Sequence, residues 1–298
     1  MRSYRFAVLL LWLLCSAFGF AQLRWVTSQP VVNMYSLPST DSDVVSQTIY
    51  GVTVVQIPTD QKTKQPEGWM HIKTADDYTG WVQMKSYLPR DTKETYAGPE
   101  KKAVTVINRA ANLYREPDVT EHAPMLTVPF ETAFEYVASD PRDPKRWIKV
   151  RLTNGDEAWI QTGDVTERTG KPLTLLEAIA LAKRMMGVTY TWGGTSSFGY
   201  DCSGFTQMLM RQQGIIMPRD ADIQMKWSGV APVKREELKP GDLLFFGNEK
   251  KVTHTGMYIG SGEFVHDTTH DRPMVQISKL DDQPWTKLLV GCRRVKSK

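Results

Sequence analysis

The chain has 298 residues, 41% of them hydrophobic and 23% charged, with a formal net charge of +4. That length accommodates two or three compact units, and the composition is that of an ordinary globular protein. The mild positive charge comes without a long basic run or a basic helix interleaved with aromatics, which argues against a nucleic-acid partner and leaves only weak attraction to anionic polymers.

At the N-terminus, Arg2 and Arg5 precede the apolar run Phe6–Leu14, and small residues lead to Gly19-Phe20-Ala21. A basic start, a short apolar stretch and small residues before a cut describe a secretory signal peptide over 1–21. The run is short for a comfortable membrane span, which sets a retained membrane anchor behind a cleaved signal. The expected location is therefore periplasmic or secreted, with no stable membrane insertion after signal removal. Lipidation at Cys15 is the alternative, but Leu14 occupies the place where a small residue is usual. Cleavage after Ala21 leaves two cysteines, Cys202 and Cys292. Cys292 lies in the strand-like run Leu288–Val295 and is expected to be a buried free thiol.

An internal repeat follows. Asn33-Met34-Tyr35 with Pro38 matches Asn112-Leu113-Tyr114 with Pro117, and Trp69 and Trp81 recur as Trp147 and Trp159. Short β-rich runs separated by polar turns predict one small all-β barrel per copy, over 28–90 and 102–167. The repeated tyrosines and tryptophans are expected in the barrel cores. The stretch Arg90–Pro99 between the copies is polar and reads as a linker.

A third unit, over 172–296, begins with a helix. Thr174-Leu-Leu-Glu177 is a capping-box signature, an apolar stripe runs from Leu175 to Met185, and Gly187 suits the end. A loop rich in Gly and Ser leads to Tyr200. A second helix is predicted from Ser203 to Gly214. After Pro240-Gly241 strands are expected at 242–246, 255–259, 263–266 and 288–290. Helices followed by strands describe an α+β domain.

Cys202 stands just before the second helix, where unpaired backbone N–H groups and a partial positive charge favour a thiolate. His254 and His266 flank Gly260-Ser261-Gly262, a natural hairpin turn. They are an even number of residues apart, so without a bulge both imidazoles share one face of the hairpin. One can then serve the thiol while the other fixes its tautomer. This is the equipment of thiol nucleophilic catalysis. His266-Asp267-Thr-Thr-His270 lacks the spacing of a zinc site, and Gly193–Gly199 lacks the Lys of a phosphate loop. No metal or other cofactor is expected.

Tyr190-Thr-Trp-Gly-Gly, Asp201-Cys-Ser-Gly, Pro240-Gly-Asp-Leu-Leu-Phe-Phe and His254-Thr-Gly-Met-Tyr-Ile-Gly resemble the NlpC-type cell-wall cysteine peptidases, a papain-like family. The two N-terminal copies resemble bacterial SH3-like domains. The resemblance implies Cys202 as nucleophile, His254 as general acid/base and His266 as the residue orienting it. The Cys202 N–H and the Tyr190 hydroxyl would serve an oxyanion site. Members cleave peptidoglycan stem peptides, commonly at the γ-D-glutamyl–diamino-acid bond, and those with SH3-like domains resemble recycling enzymes that require a free N-terminal L-Ala. A buried substrate ammonium needs a carboxylate, for which Asp201 is the candidate, with Ser203 beside it. Tyr78 would be lent by the first SH3-like domain, with Asp41 or Asp43 as an acidic partner. Arg219 and Asp220 would meet the diamino acid or form a structural ion pair. The expected partners are peptidoglycan-derived peptides. The competing readings are an autolysin acting on intact wall, a non-catalytic wall-binding protein, and thiol acyl transfer or amide hydrolysis on another substrate.

Overall fold

The computed structural model describes residues 23–58, 65–90 and 95–296. The expected signal peptide and Cys15 lie outside the described residues.

The first β unit comprises β1 (Arg24–Thr27), β2 (Val31–Tyr35), β3 (Val44–Ile49), β4 (Thr53–Gln56), β5 (Trp69–Lys73), β6 (Thr79–Gln83) and β7 (Tyr87–Arg90). They form one sheet in the order β3-β2-β6-β5-β4-β1-β7. The second unit comprises β8 (Ala103–Val106), β9 (Ala110–Tyr114), β10 (Leu126–Pro129), β11 (Ala133–Ser139), β12 (Trp147–Arg151), β13 (Glu157–Gln161) and β14 (Val165–Glu167). Its order, β10-β9-β13-β12-β11-β8-β14, repeats the first strand for strand. Tyr35 meets Trp69 edge-on at 5.6 Å, and the repeat-related Tyr114 meets Trp147 edge-on at 5.5 Å.

The repeated aromatics correct the core expectation. Met34, Met70, Ile72 and Val82 fill the first core. Strand alternation turns Tyr35, Trp69 and Trp81 to the other face, where they are half-buried and Trp81 stacks on His71 at 4.8 Å. In the second copy Tyr114 and Trp147 are buried, while Trp159 stays half-buried.

The linker also differs from its reading. Residues 91–94 lie outside the described residues, but Tyr96 and Ala97 are buried in a core that joins Val26 and Tyr50 of the first unit to Phe134 and Leu152 of the second. Tyr50 accepts hydrogen bonds from the Thr153 amide (2.9 Å) and hydroxyl (3.0 Å). The two β units therefore share apolar packing that the polar composition of 90–99 conceals.

The third unit opens with α1 (Leu175–Arg184), whose Thr174–Glu177 capping box is formed. A short hairpin follows, β15 (Thr195–Ser196) with β16 (Gly199–Tyr200), then α2 (Cys202–Gln212) and α3 (Ala221–Lys226). The six-stranded sheet is built from β17 (Val230–Val233), β18 (Leu243–Gly247), β19 (Val252–Gly260), β20 (Glu263–Thr268), β21 (Met274–Lys279) and β22 (Leu289–Val295), with α4 (Trp285–Leu288) before the last strand. Its order is β17-β22-β18-β19-β20-β21. One face packs Leu243, Phe245, Met257 and Val265 against Phe205, Met208 and Leu209 of α2. The other packs Leu244, Phe246 and Phe264 against Trp285 and Cys292. Cys202 and Cys292 are both buried free thiols. Among the described residues, no helix is long and apolar enough to cross a membrane.

Candidate active site

Cys202 occupies the first turn of α2, and the local sequence explains why the helix starts there. Asp201 is the N-cap and accepts from the Gly204 amide at 2.7 Å. The preceding turn docks onto that cap: the Gly193 amide donates to Asp201 Oδ2 (3.1 Å) and the Asp201 amide to the Gly194 carbonyl (3.1 Å). A β-carbon on Gly204 would lie 2.1 Å from the Gly194 oxygen, so only glycine lets the turn approach the helix this closely.

The two histidines meet. His254 Nε2 lies 2.7 Å from His266 Nδ1, and His266 Nε2 lies 3.0 Å from Ser278 Oγ on β21. They share a face for a different reason from the one the spacing suggested. Gly260 pairs with Glu263, and continuing that register would set Met257 opposite His266 and turn the imidazoles to opposite faces. A bulge between Tyr258 and Gly260 shifts the ladder, so that Tyr258 pairs with Phe264 and Met257 with Val265. The extra residue in β19 restores the common face. Trp285 then packs against both rings, at 5.3 Å from His254 and 4.7 Å from His266, with Phe246 and Phe264 behind.

Burial dominates the electrostatics. Cys202 is 7% exposed. Desolvation, and then the Asp201 charge, push its thiol up to about 12 against the opposing Thr255 amide, Arg219 and the Ser203 amide. The helix start was expected to favour the thiolate; here burial outweighs it. Desolvation also pulls His254 down to about 3 and His266 well below the usual range, with His254 and His270 adding to it. Burial thus penalises the charged form of each group. The Thr255 amide that opposes the thiol's upward shift belongs to the residue after His254, which brings the start of α2 against β19.

Asp201 and Arg219 form a buried bidentate ion pair, Nη1 to Oδ1 at 3.0 Å and Nη2 to Oδ2 at 2.5 Å. Ser203 Oγ accepts from Arg219 Nη1 (2.8 Å) and donates to Asp201 Oδ1 (3.2 Å). Arg219 is 2% exposed, so its guanidinium faces Asp201 and Ser203 instead of open solvent. Tyr190 is half-buried, and burial followed by the Cys202, Asp201 and Asp267 charges raises its hydroxyl pKa, keeping it a proton donor. Tyr78 reaches across from the first β unit and donates to both Asp220 oxygens at 3.2 Å. Burial and the Asp220 charge push that hydroxyl up to about 12. Asp41 and Asp43 are exposed on the β2–β3 loop, which Val44 brings against Gly193.

Several participants were absent from the sequence reading. Gln207 of α2 donates to Asp76 Oδ2 (2.8 Å) and to the Met217 carbonyl (2.8 Å), tying the Tyr78 turn to the helix that carries the thiol. Ser278 lies on β21, a strand the sequence reading did not include. Gly256 stood inside the His-Thr-Gly motif without a role. Asp267 is fully buried, and among the described residues no side chain pairs with its carboxylate; the neighbouring Thr268 amide alone opposes the upward shift of its pKa. No group of three or more His, Cys, Asp or Glu side chains among the described residues could hold a metal ion.

Known proteins match both parts of the chain. Residues 187–294 match the NlpC/P60 family, and residues 30–89 match the bacterial SH3 domain. A γ-D-glutamyl-L-lysine dipeptidyl-peptidase of Bacillus cereus is 32% identical over 250 residues, covering 82% of this chain and 72% of the relative. The protein of the same name from Bacillus subtilis is 28% identical over 269 residues, covering 86% and 82%. The crystal structure of an NlpC/P60 family protein from Bacillus cereus superposes with a TM-score of 0.75 at 24% identity, over 91% of this chain and 99% of that one.

Proposed function

This chain belongs to the NlpC/P60 family and is a cysteine peptidase, and from that premise we propose that it is an exported endopeptidase hydrolysing the γ-D-glutamyl–diamino-acid bond of free peptidoglycan stem peptides that carry an N-terminal L-Ala. Its relatives named for γ-D-glutamyl-L-lysine cleavage support the bond. The Tyr78–Asp220 contact supports the restriction to free peptides. It sets a side chain of the first β unit beside the Asp201–Ser203–Arg219 cluster, at the place where a longer substrate would have to extend.

His254 Nε2 is engaged by His266, which leaves Nδ1 to take the Cys202 proton. The thiolate attacks the γ-carbonyl carbon of D-glutamate. The developing oxyanion is met by the Cys202 N–H and the Tyr190 hydroxyl. His254 gives its proton to the leaving amine, and water then hydrolyses the thioester with His254 as base. The substrate ammonium meets Asp220 beside Tyr78, in place of the Asp201 expected from the sequence, whose oxygens are already taken by Arg219, Ser203 and the Gly193 and Gly204 amides. On this reading residues 102–167 are a second SH3-like domain, supported by the repeated strand order. Residues 1–21 are a signal peptide.

The observation that carries the reading is the His254–His266 contact beside a thiol at a helix N-terminus. The test is product analysis by mass spectrometry on two substrates, the free tripeptide L-Ala-γ-D-Glu-diamino acid and its disaccharide-linked form. Cleavage of the free form at least tenfold faster is expected. Equal rates on both, or on intact sacculi, would reject the free-amine requirement and favour the autolysin.

A further inference from the structure

We infer that Ser278 sustains the productive tautomer of the histidine relay, and through it keeps the His254 proton on Nε2. The juxtaposition is a single line of contacts: Ser278 Oγ to His266 Nε2 at 3.0 Å, then His266 Nδ1 to His254 Nε2 at 2.7 Å.

A neutral imidazole has one N–H and one acceptor nitrogen. Two self-consistent arrangements exist for this chain. In the first, His266 Nε2–H donates to Ser278, His266 Nδ1 accepts from His254 Nε2–H, and His254 Nδ1 is a free base. In the second, every proton is reversed: Ser278 donates to His266 Nε2, His266 Nδ1–H donates to His254 Nε2, and His254 Nδ1 already carries a proton. Only the first can accept a proton from a thiol. It also survives the proton transfer unchanged, because the imidazolium of His254 keeps its Nε2–H on His266.

Ser278 is the partner that makes the first arrangement tolerable for a buried ring, since its oxygen can accept from His266 Nε2–H. His266 is fully buried and its burial holds it neutral. Phe264 at 4.5 Å and Trp285 at 4.7 Å pack on its ring. Ser278 is held at the contact by the β20–β21 ladder, opposite Phe264. An N–H on His266 Nε2 has its acceptor in the serine oxygen. With alanine there, that N–H would be buried without a partner, and the proton would gain by moving to Nδ1, which is the unproductive arrangement. Ser278 is thus a positioning residue: it acts on the reaction through His266 and His254.

The inference rests on the reading of His254 as the base, so the experiment separates the two. Nitrogen-15 NMR of the histidine rings reads the tautomer in the resting protein without substrate. Wild type is expected to show His266 protonated at Nε2 and unprotonated at Nδ1. Ser278→Ala is expected to populate the Nδ1–H form and to lower kcat on the free tripeptide roughly tenfold, with KM within about twofold. Ser278→Thr is expected to restore both the ring signals and kcat. An unchanged His266 tautomer in Ser278→Ala, or an Nδ1–H ring in wild type, would overturn the assignment. Hydrolysis that persists in Cys202→Ala would instead sink the catalytic reading while the ring signals still decide the role of Ser278.

Discussion

A β-carbon on Gly256 would come within 3.0 Å of His266 Cβ and 2.9 Å of the Phe264 ring. Gly256 follows His254 by two residues on β19, so the absence of a side chain is what lets the two imidazoles close to hydrogen-bonding distance. Gly256→Ala should push His266 off its line with His254. Overpacking of this kind costs about 1–3 kcal/mol. The expected outcome is a lower melting temperature together with a loss of kcat of roughly tenfold or more, measured on the free tripeptide; unchanged kcat would mean that the ring pair tolerates the displacement.

Gln207 and Asp76 carry a second prediction. The Gln207 amide holds Asp76 at 2.8 Å, and Asp76 lies two residues before Tyr78. Gln207→Leu removes the donor from Asp76 and frees the Tyr78 turn. KM for the free tripeptide should rise about five- to tenfold with kcat nearly intact, a loss of about 1–1.4 kcal/mol of binding. Steady-state kinetics check it, and Tyr78→Phe should move KM in the same direction.

Arg219 and Asp201 form the most deeply buried ion pair at the site. Removing one partner strands the other charge. Arg219→Met should therefore cost about 3–5 kcal/mol of stability, read by denaturant unfolding. Arg219→Lys should recover only part of it, because an ammonium cannot reproduce the bidentate contact.

Asp267 and His254 bound the pH range of stability from opposite sides. Burial, and then the Asp201 charge, push Asp267 up to about 8. An acid whose folded pKa exceeds its unfolded value binds more protons when folded, so stability falls as pH rises from about 4 to 8. Asp267→Asn should remove that fall, stabilising the protein at pH 8 and leaving it nearly unchanged at pH 4. His254 is held down to about 3, so the unfolded chain binds the extra proton and stability is lost as pH drops below about 6.5 towards 3. Thermal melts of wild type and Asp267→Asn across this range provide the check.

Much of this site was legible because its local rules are short. Cys202 at a helix start, the Thr174–Glu177 cap and a hairpin at Gly260–Gly262 each depend on a few adjacent residues. The β repeat was legible for the same reason, as Tyr35 with Trp69 recurs as Tyr114 with Trp147. What stayed hidden depends on distant partners. The bulge at Tyr258–Gly260 is a property of the ladder with β20, and the common face that even spacing suggested without a bulge in fact depends on it. Ser278 has no local signature, and its strand β21 was not recognised. Gln207 reads as one more polar helix residue until Asp76 arrives from the first β unit. Tyr96 looks like part of a solvated linker until the cores of both β units close around it. The thiol's upward shift is likewise a consequence of burial, which the position of Cys202 in a helix could not reveal.

The most direct measurement is intact-protein mass spectrometry of rapidly quenched enzyme during turnover of L-Ala-γ-D-Glu-diamino acid. A transient L-Ala-γ-D-Glu adduct mapped to Cys202 is expected, absent in Cys202→Ala and formed far more slowly in His254→Ala. An adduct on another residue, or release of the dipeptide by Cys202→Ala at the wild-type rate, would contradict it.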